Sequence, residues 1–587
     1  MYSLGIYTYH TATACLLQDG EVLGIISEER FNRIKNYAGF PKEAVAFLLK
    51  EHHLTPAQID YVALSHRYGD LTYFKSLRQS SGRVETENRV VRVIGKMRGA
   101  ISSFVFLPMV KPVYVFFYFW AHRFVGTHCL REEIFLLAEM LAVPASKFRS
   151  EGHHLSHAAS SYYTSGYHNE KSLVLVSDGG GDGLCDLVAI ASGSEWKILS
   201  QTPAFHSTAL IYHDMTAYLG MKPLEHEQKV MGLAPYASEA LGQSAYRLMA
   251  DWITLDKKNR LQLASKFDTH YAYRYIEKAM KGMRFDAVAF AVQRLIEERM
   301  VEWVQESIKQ TGVKTICLAG GLFMNVKLNM RIAALPEVDK LYVVPSCGDE
   351  STPIGACYLA YRDWYAKSGK EMVVTPFPPL YLGPNYSREE VLAILKTTTF
   401  HYEYIENVEQ KIAELLAQGK VVAVMRGRME FGARALGNRS ILADPSRPHL
   451  VKEINDQVKK RDFWMPFAPT ILQERSDDYI VNPKHIPSPH MMIAFHTTPL
   501  AQAHFAAAVH PYDLTMRPQI LEEKENPSYY RLIKAFEKLT GIGGVLNTSF
   551  NLHGLPIVLG PEQALADFEN SHLQYLVLED YLVTKVR

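Results

Sequence analysis

Cysteine is scarce and dispersed in this chain of 587 residues. The six thiols, Cys15, Cys129, Cys185, Cys317, Cys347 and Cys357, include no CxxC pair. That spacing argues against a disulfide framework and predicts reduced thiols in a cytosolic protein. An excess of either charge is also missing. Lys and Arg number 63 against 62 Asp and Glu, which leaves no electrostatic case for nucleic acid as a bulk partner. The opening MYSLGIYTY lacks a basic stretch followed by an apolar one, so no secretory signal is expected and the location expected is cytoplasmic.

The last absence is an uninterrupted hydrophobic run. Residues 101–120, ISSFVFLPMVKPVYVFFYFW, have the length of a membrane span, but Pro108, Lys111 and Pro112 fall near the middle. The prolines would break the helix and the lysine would bury a charge, so a single-pass span is not expected. Otherwise 48% hydrophobic and 21% charged residues are ordinary for a globular protein. At ~150 residues per domain the length calls for roughly two to four domains.

Two stretches share one pattern. Leu4 to Tyr9, Thr13 to Leu17 and Val22 to Ser27 read as three strands joined by His10-Thr11 and the turn Gln18-Asp19-Gly20. Ser172 to Ser177, Cys185 to Ala191 and Trp196 to Ser200 repeat it around the loop Asp178 to Gly183. β-Branched and aliphatic runs between turn residues are strand and hairpin signals. Two copies separated by helical sequence predict a duplicated α/β domain with a cleft between its halves. Actin-like ATPases and sugar kinases are built this way, which is an analogy of fold only.

A helix is expected over Asp286 to Gln310, with Val288, Val292, Leu295, Ile296, Trp303 and Val304 on one apolar face. Thr315 to Ala319 reads as a strand entering Gly320-Gly321 and a helix from Asn325 to Leu335. Strand, glycine pair and helix start form a common nucleotide cradle, although two glycines alone are a weak signal. The proline-rich EMVVTPFPPLYLGP, 371–384, places the domain boundary, giving expected domains 1–370 and 371–587.

The sharpest local feature is Gly152-His153-His154-Leu155-Ser156-His157. His153 and His157 are four apart, so on a helix both leave one face and can hold one metal. Asp178 in SDGGGDG and Asp349 in PSCGDES follow strands and meet glycine loops, which are common cleft positions. Two imidazoles with one or two carboxylates suit Fe(II) or another divalent transition metal. The plainer reading makes the two aspartates turn caps. In the second half, residues 427–440 read GRMEFGARALGNRS, and Lys459-Lys460-Arg461, Arg517 and Lys524 follow. Guanidinium forks beside exposed backbone N–H groups are what phosphate binding asks for. Leu546-Asn547-Thr548-Ser549-Phe550-Asn551 adds neutral donors that would fit a carbamoyl amide.

The ordered set EERFNRIK, HHLSHAASSYY, VMGLAPY, GGLFMNVKLN, CGDES, GRMEFGARALGNRSILADP, RPQIL and LNTSFN resembles the nodulation-protein and cephem O-carbamoyltransferase (NodU/CmcH) family, from about His10 to Val558. The resemblance implies an actin-like (ASKHA) N-terminal domain similar to the tRNA threonylcarbamoyl-transferase. It also implies a YrdC-like α/β C-terminal domain similar to the threonylcarbamoyl-adenylate synthases. The latter would make carbamoyl-adenylate from carbamoyl phosphate and ATP, with Mg2+ accompanying ATP. The former, iron-binding, would pass the carbamoyl group to a hydroxyl of a sugar or other natural product.

By the same resemblance His10 is the candidate base and Lys35 a second catalytic residue. His153, His157, Asp178 and Asp349 match metal ligands. Lys229, Gly320, Gly321 and Asn325 fall in segments lining a nucleotide cleft. Arg428, Arg434, Lys459, Arg517, Asn547 and Ser549 match positions around carbamoyl phosphate and ATP. The chain departs from the family at Thr11, Ala433, Met465 and His553, where Asp, Pro, Arg and Arg are usual. Losing a phosphate-binding arginine keeps open a nucleotide-binding pseudoenzyme or partner protein. A tRNA-modifying transferase is a further alternative, weakened by the balanced charge. No family motif covers about 83–123. There Arg89, Arg92 and Lys96 share one side of an expected helix with Val90, Val91, Ile94 and Met97 beside them. Such a segment either packs on the first domain or meets a membrane surface or an apolar acceptor.

Overall fold

The computed structural model describes residues 1–69, 110–369 and 372–585, and only the backbone over 110–122. The basic positions Arg89, Arg92 and Lys96, with Val90, Val91, Ile94 and Met97, lie outside the described residues. The chain divides into two compact units. One comprises Met1–Glu28 and Asn36–Pro378, the other Glu29–Lys35 and Pro379–Arg587. The short segment Glu29–Lys35, from the EERFNRIK motif, therefore groups with the C-terminal part of the chain.

The first unit contains two five-stranded sheets. In one, β1 (Tyr2–Tyr7), β2 (Thr13–Gln18), β3 (Glu21–Ser27), β4 (Tyr61–Leu64) and β5 (Phe148–Ser150) lie in the order β3-β2-β1-β4-β5. In the other, β6 (Ser172–Gly181), β7 (Leu184–Ser192), β8 (Glu195–Pro203), β9 (Thr315–Ala319) and β10 (Lys340–Val343) lie in the order β8-β7-β6-β9-β10. Each begins with an antiparallel meander and continues with two parallel strands. Identical order and pairing make the unit a duplicated, actin-like α/β fold.

Helices α1 (Val110–Leu141), α2 (His153–Thr164), α3 (Phe285–Thr311), α4 (Val326–Ala333) and α5 (Thr352–Ser368) matter most for the site. β1 is buried continuously from Ser3 to Tyr7, as a strand covered on both faces must be. Gly5 lets α5 close on it, since a Cβ there would stand 2.4 Å from the Pro353 carbonyl oxygen. α3 buries Val288, Val292, Leu295, Ile296, Trp303 and Val304 and ends at Gly312, whose φ is 68°. Lys111 and Pro112, where a break is expected, lie in the helical stretch Val110–Leu141. Among the described residues no helix is long and apolar enough to cross a membrane.

The second unit is built on a mixed eight-stranded sheet. Its strands are β11 (His401–Tyr404), β12 (Val422–Met425), β13 (Arg439–Ala443), β14 (Ala468–Leu472), β15 (Gln519–Leu521), β16 (Gly544–Ser549), β17 (Tyr575–Leu578) and β18 (Tyr581–Thr584). They lie in the order β11-β18-β17-β12-β13-β16-β14-β15. Val391, Leu395, Ile441, Leu546, Phe550 and Phe568 are among the residues of its core.

Candidate functional site

In the first unit four side chains converge. His153, His157, Asp178 and Asp349 are all buried, and one ligand atom from each lies within 4.8 Å of the others. The two histidines share a face of α2. Asp178 lies at the glycine-rich end of β6, where its register against β7 shifts, and Asp349 opens the turn that leads into α5. His157 Nε2 is 3.1 Å from Asp349 Oδ1. His153 Nε2 is 3.5 Å from the same oxygen and 3.6 Å from Asp178 Oδ2.

The donor set fits a divalent metal. His153 Nδ1 faces the Ser65 carbonyl oxygen at 3.2 Å. A carbonyl only accepts, so Nδ1 keeps its proton and Nε2 is the nitrogen left to bind a metal in exchange for its own. That Nε2 is buried with no hydrogen-bond partner. Burial opposes charge on His153, but Asp349 and Asp178 outweigh it and raise its pKa well above the ordinary value. Burial and Asp349 push Asp178 upward, yet His153 and His157 hold it below the usual carboxylate range. Asp349 is likewise held well below that range against burial, by His153 and His10. Two buried carboxylates kept ionised require positive charge nearby. His154 is excluded from the cluster; burial and His153 lower its pKa to about 3.

His10 joins this centre. Its Nε2 is 3.3 Å from Asp349 Oδ2, and the side chain is 28% exposed. Tyr7 donates its hydroxyl to the same carboxylate oxygen. Thr11 follows with φ at 62°, unusual for a β-branched residue.

Sequence reasoning missed the residues that hold these groups. Asp182, the second aspartate of SDGGGDG, accepts from His153 N–H at 2.7 Å, capping α2, and from the Arg67 and Tyr68 N–H groups at 2.9 and 3.0 Å. The glycine pair also serves this centre. Gly320, with φ at 97°, would place a Cβ 2.2 Å from the Ser177 carbonyl oxygen, and Gly321 N–H donates to Asp178 Oδ1 at 2.9 Å. Asn325 caps α4 through Leu328 N–H at 3.1 Å and exchanges two amide hydrogen bonds with Gln293, at 2.9 and 3.1 Å. Lys229 is half-buried on the short helix Glu227–Leu233.

The second unit gathers cations. One π-helical turn, Asn455–Lys459, carries Lys459 inward. Its ammonium donates to Ser549 Oγ at 3.1 Å and to Asn551 Oδ1 at 2.7 Å. Burial lowers the Lys459 pKa well below its ordinary value, Arg461 lowers it further, Asp567 opposes, and Lys35 adds to the lowering. Lys35 thus acts on the second unit, to which its segment belongs. Burial and then Arg434 push Arg461 down to about 10. Burial, Arg434 and Arg461 together hold Arg517 well below its usual value. Guanidiniums held close enough to repel one another are the arrangement a bound anion would relieve.

Part of the arginine-rich motif is architecture. Arg439 is fully buried and donates to carbonyl oxygens of Leu559, Gly427 and Asn438 at 3.0 to 3.1 Å. Glu430 Oε1 accepts from the N–H groups of Leu436, Asn438 and Arg439 at 2.7, 3.2 and 3.1 Å, wrapping the loop around itself. Arg428 is half-buried and reaches the Leu382 carbonyl oxygen at 3.3 Å. Asn547 is buried, its amide donating to the Ala435 carbonyl oxygen at 3.1 Å and to Thr470 Oγ1 at 3.2 Å. His553 Nδ1 lies 2.8 Å from the Lys459 carbonyl oxygen. Ala433 is exposed and Met465 half-buried.

Comparison with known proteins places this geometry in a family. Residues 2–358 match the family model described as Carbamoyltransferase N-terminus, and residues 413–585 match Carbamoyltransferase C-terminus. An uncharacterized protein of Methanocaldococcus jannaschii is 30% identical over 100% of both chains. A second from the same organism is 34% identical over 74% of this chain and 73% of its own. The nodulation protein NolNO of Sinorhizobium fredii is 30% identical, over 98% of this chain and 79% of its own. With both family models matched in order, the chain belongs to the nodulation-protein and cephem carbamoyltransferase family.

Proposed function

We propose that this carbamoyltransferase works in two steps and is driven by ATP. Residues 379–587, with Glu29–Lys35, form carbamoyl-adenylate from carbamoyl phosphate and ATP. The rest of residues 1–370 transfers the carbamoyl group to a hydroxyl of a sugar or other natural product. The observation that carries this reading is the division of charge. Arg434, Arg461 and Arg517 repel one another in the second unit, whereas carboxylates and imidazoles meet in the first. The former suits phosphate-rich substrates, the latter a divalent cation and proton transfer.

The first step consumes one water and releases one phosphate and one pyrophosphate. Arg434, Arg461 and Arg517 would bind the phosphates, with Mg2+ accompanying ATP. Lys459 would fix the Ser549–Asn551 turn beside them. Adenylation is needed because the carbamoyl nitrogen lone pair feeds the carbonyl and makes its carbon a poor electrophile.

In the second step the acceptor oxygen bonds to the carbamoyl carbon as the bond to the adenylate oxygen breaks and AMP leaves. His10 would take the hydroxyl proton. With Nε2 3.3 Å from Asp349 Oδ2, Nδ1 would be the nitrogen that accepts it. His153, His157, Asp178 and Asp349 would hold Fe(II) or another divalent metal, which supplies a Lewis acid for a phosphate or carbonyl oxygen. Pyrophosphate release from ATP and carbamoyl phosphate, without any acceptor, tests the scheme. A folded, metal-loaded protein that releases none would be a nucleotide-binding partner protein instead.

A further inference from the structure

Glu133 on α1 is a carboxylate only 1% exposed, and neither proposed step uses it. Its two oxygens grip two different segments. Oε1 accepts from the Thr8 hydroxyl at 2.6 Å, and Oε2 lies 3.0 Å from His66 Nε2. An ionised carboxylate only accepts, so that nitrogen carries its proton.

Each segment leads to the metal centre. Thr8 and Tyr9 stand between Tyr7, which donates to Asp349, and His10. The His66 ring stacks on Tyr9, with centroids 4.8 Å apart and planes at 25°. Tyr9 meets Tyr7 edge-on at 5.4 Å. On the other arm, His66 follows Ser65, whose carbonyl orients His153 Nδ1 and whose hydroxyl accepts from Thr352 at 2.7 Å. α1 is pressed onto this loop. Gly69 N–H donates to the Gly126 carbonyl oxygen at 2.9 Å, and a Cβ at Gly126 would lie 2.6 Å from Tyr68 Cβ.

We propose that Glu133 is a positioning residue of the transfer centre, fixing the Tyr7–His10 strand end through Thr8 and, through His66, the Ser65 loop that orients His153. The proposal rests on the metal-binding role given above to His153. A carboxylate can accept from both donors at once. A glutamine of the same shape removes the charge and puts an NH2 in place of one acceptor, so Thr8 or His66 must turn from donor to acceptor or give up its arm, without opening a cavity.

The test is Glu133→Gln in the full chain, stripped of metal and titrated with Co2+ alone while the d–d absorption is followed. The expected result is about a tenfold weaker Co2+ affinity with a shifted spectrum, in line with the loss of outer-shell support at metal sites. Pyrophosphate release from ATP and carbamoyl phosphate should stay at the wild-type rate. A carboxylate that merely anchors α1 would lower Tm and leave affinity and spectrum unchanged, and that outcome overturns the proposal. If Glu133→Gln does not fold, His66→Phe keeps the stacking on Tyr9 and removes the Oε2 arm. The same tenfold loss is expected there, and wild-type binding overturns the proposal equally. Wild-type protein that takes up no Co2+ overturns the metal assignment itself, a failure distinct from that of Glu133.

Discussion

His157 Nε2 lies 3.1 Å from Asp349 Oδ1, although 192 positions separate them in the chain. The contact exists because α2 and α5 are pressed together where Gly355 faces Ser156. A Cβ on Gly355 would stand 1.8 Å from the Ser156 carbonyl oxygen, and backbone at that distance cannot yield without moving the helix.

Gly355→Ala should therefore destabilise the protein by about 3 kcal/mol, the upper range for overpacking a tight interface. It should also separate Asp349 from the histidines. Urea unfolding and metal content measured on the same sample check both. Unchanged values for the pair would mean that the helices adjust independently.

Metal content tests the ligand set directly. Purified wild-type protein should carry near-stoichiometric iron or another divalent metal by elemental analysis, and His157→Ala should lose most of it. Removal of the metal by a chelator should stop transfer and spare pyrophosphate release.

Arg434→Ala and His10→Ala separate the two steps. Removing one guanidinium from a phosphate site costs about 2–5 kcal/mol by analogy with buried charge pairs, enough to abolish measurable pyrophosphate release. His10→Ala should release pyrophosphate at the wild-type rate and transfer nothing. Equal loss of pyrophosphate release in both variants would defeat the two-step assignment.

Asp186 gives a pH signature of folding. Burial raises its pKa from 3.8 to about 6, while Ser177 and Cys185 donate to it and partly offset the rise. Between those pH values the folded state holds a proton that the unfolded state has released, so stability falls as pH rises through that window and then levels. A shift of roughly two units corresponds to about 3 kcal/mol. In Asp186→Asn this fall should disappear from urea midpoints measured from pH 4 to pH 7. A wild-type slope in that variant would assign the effect to another group.

Local signals make much of the protein legible in its sequence. Strand alternation and turn residues marked both meanders, and the six apolar positions named on α3 are all buried in one helix. The four-residue spacing of His153 and His157 put both on one face of α2 because a helix repeats every 3.6 residues. These features depend on neighbours in sequence, so sequence determined them.

Tertiary structure alone decided which distant groups meet. It joined Asp178 and Asp349 to the histidines, grouped Glu29–Lys35 with the C-terminal unit, and made the glycine pair a support for Asp178. It also divided the arginine-rich motif, leaving Arg434 among repelling cations and burying Arg439 as a bridge between carbonyl oxygens. Asp182, Glu133 and Glu430 carried no signal in sequence because a carboxylate's role depends on which N–H or O–H groups the fold brings to it. Periodicity specifies which face a side chain leaves from; packing specifies what it finds there.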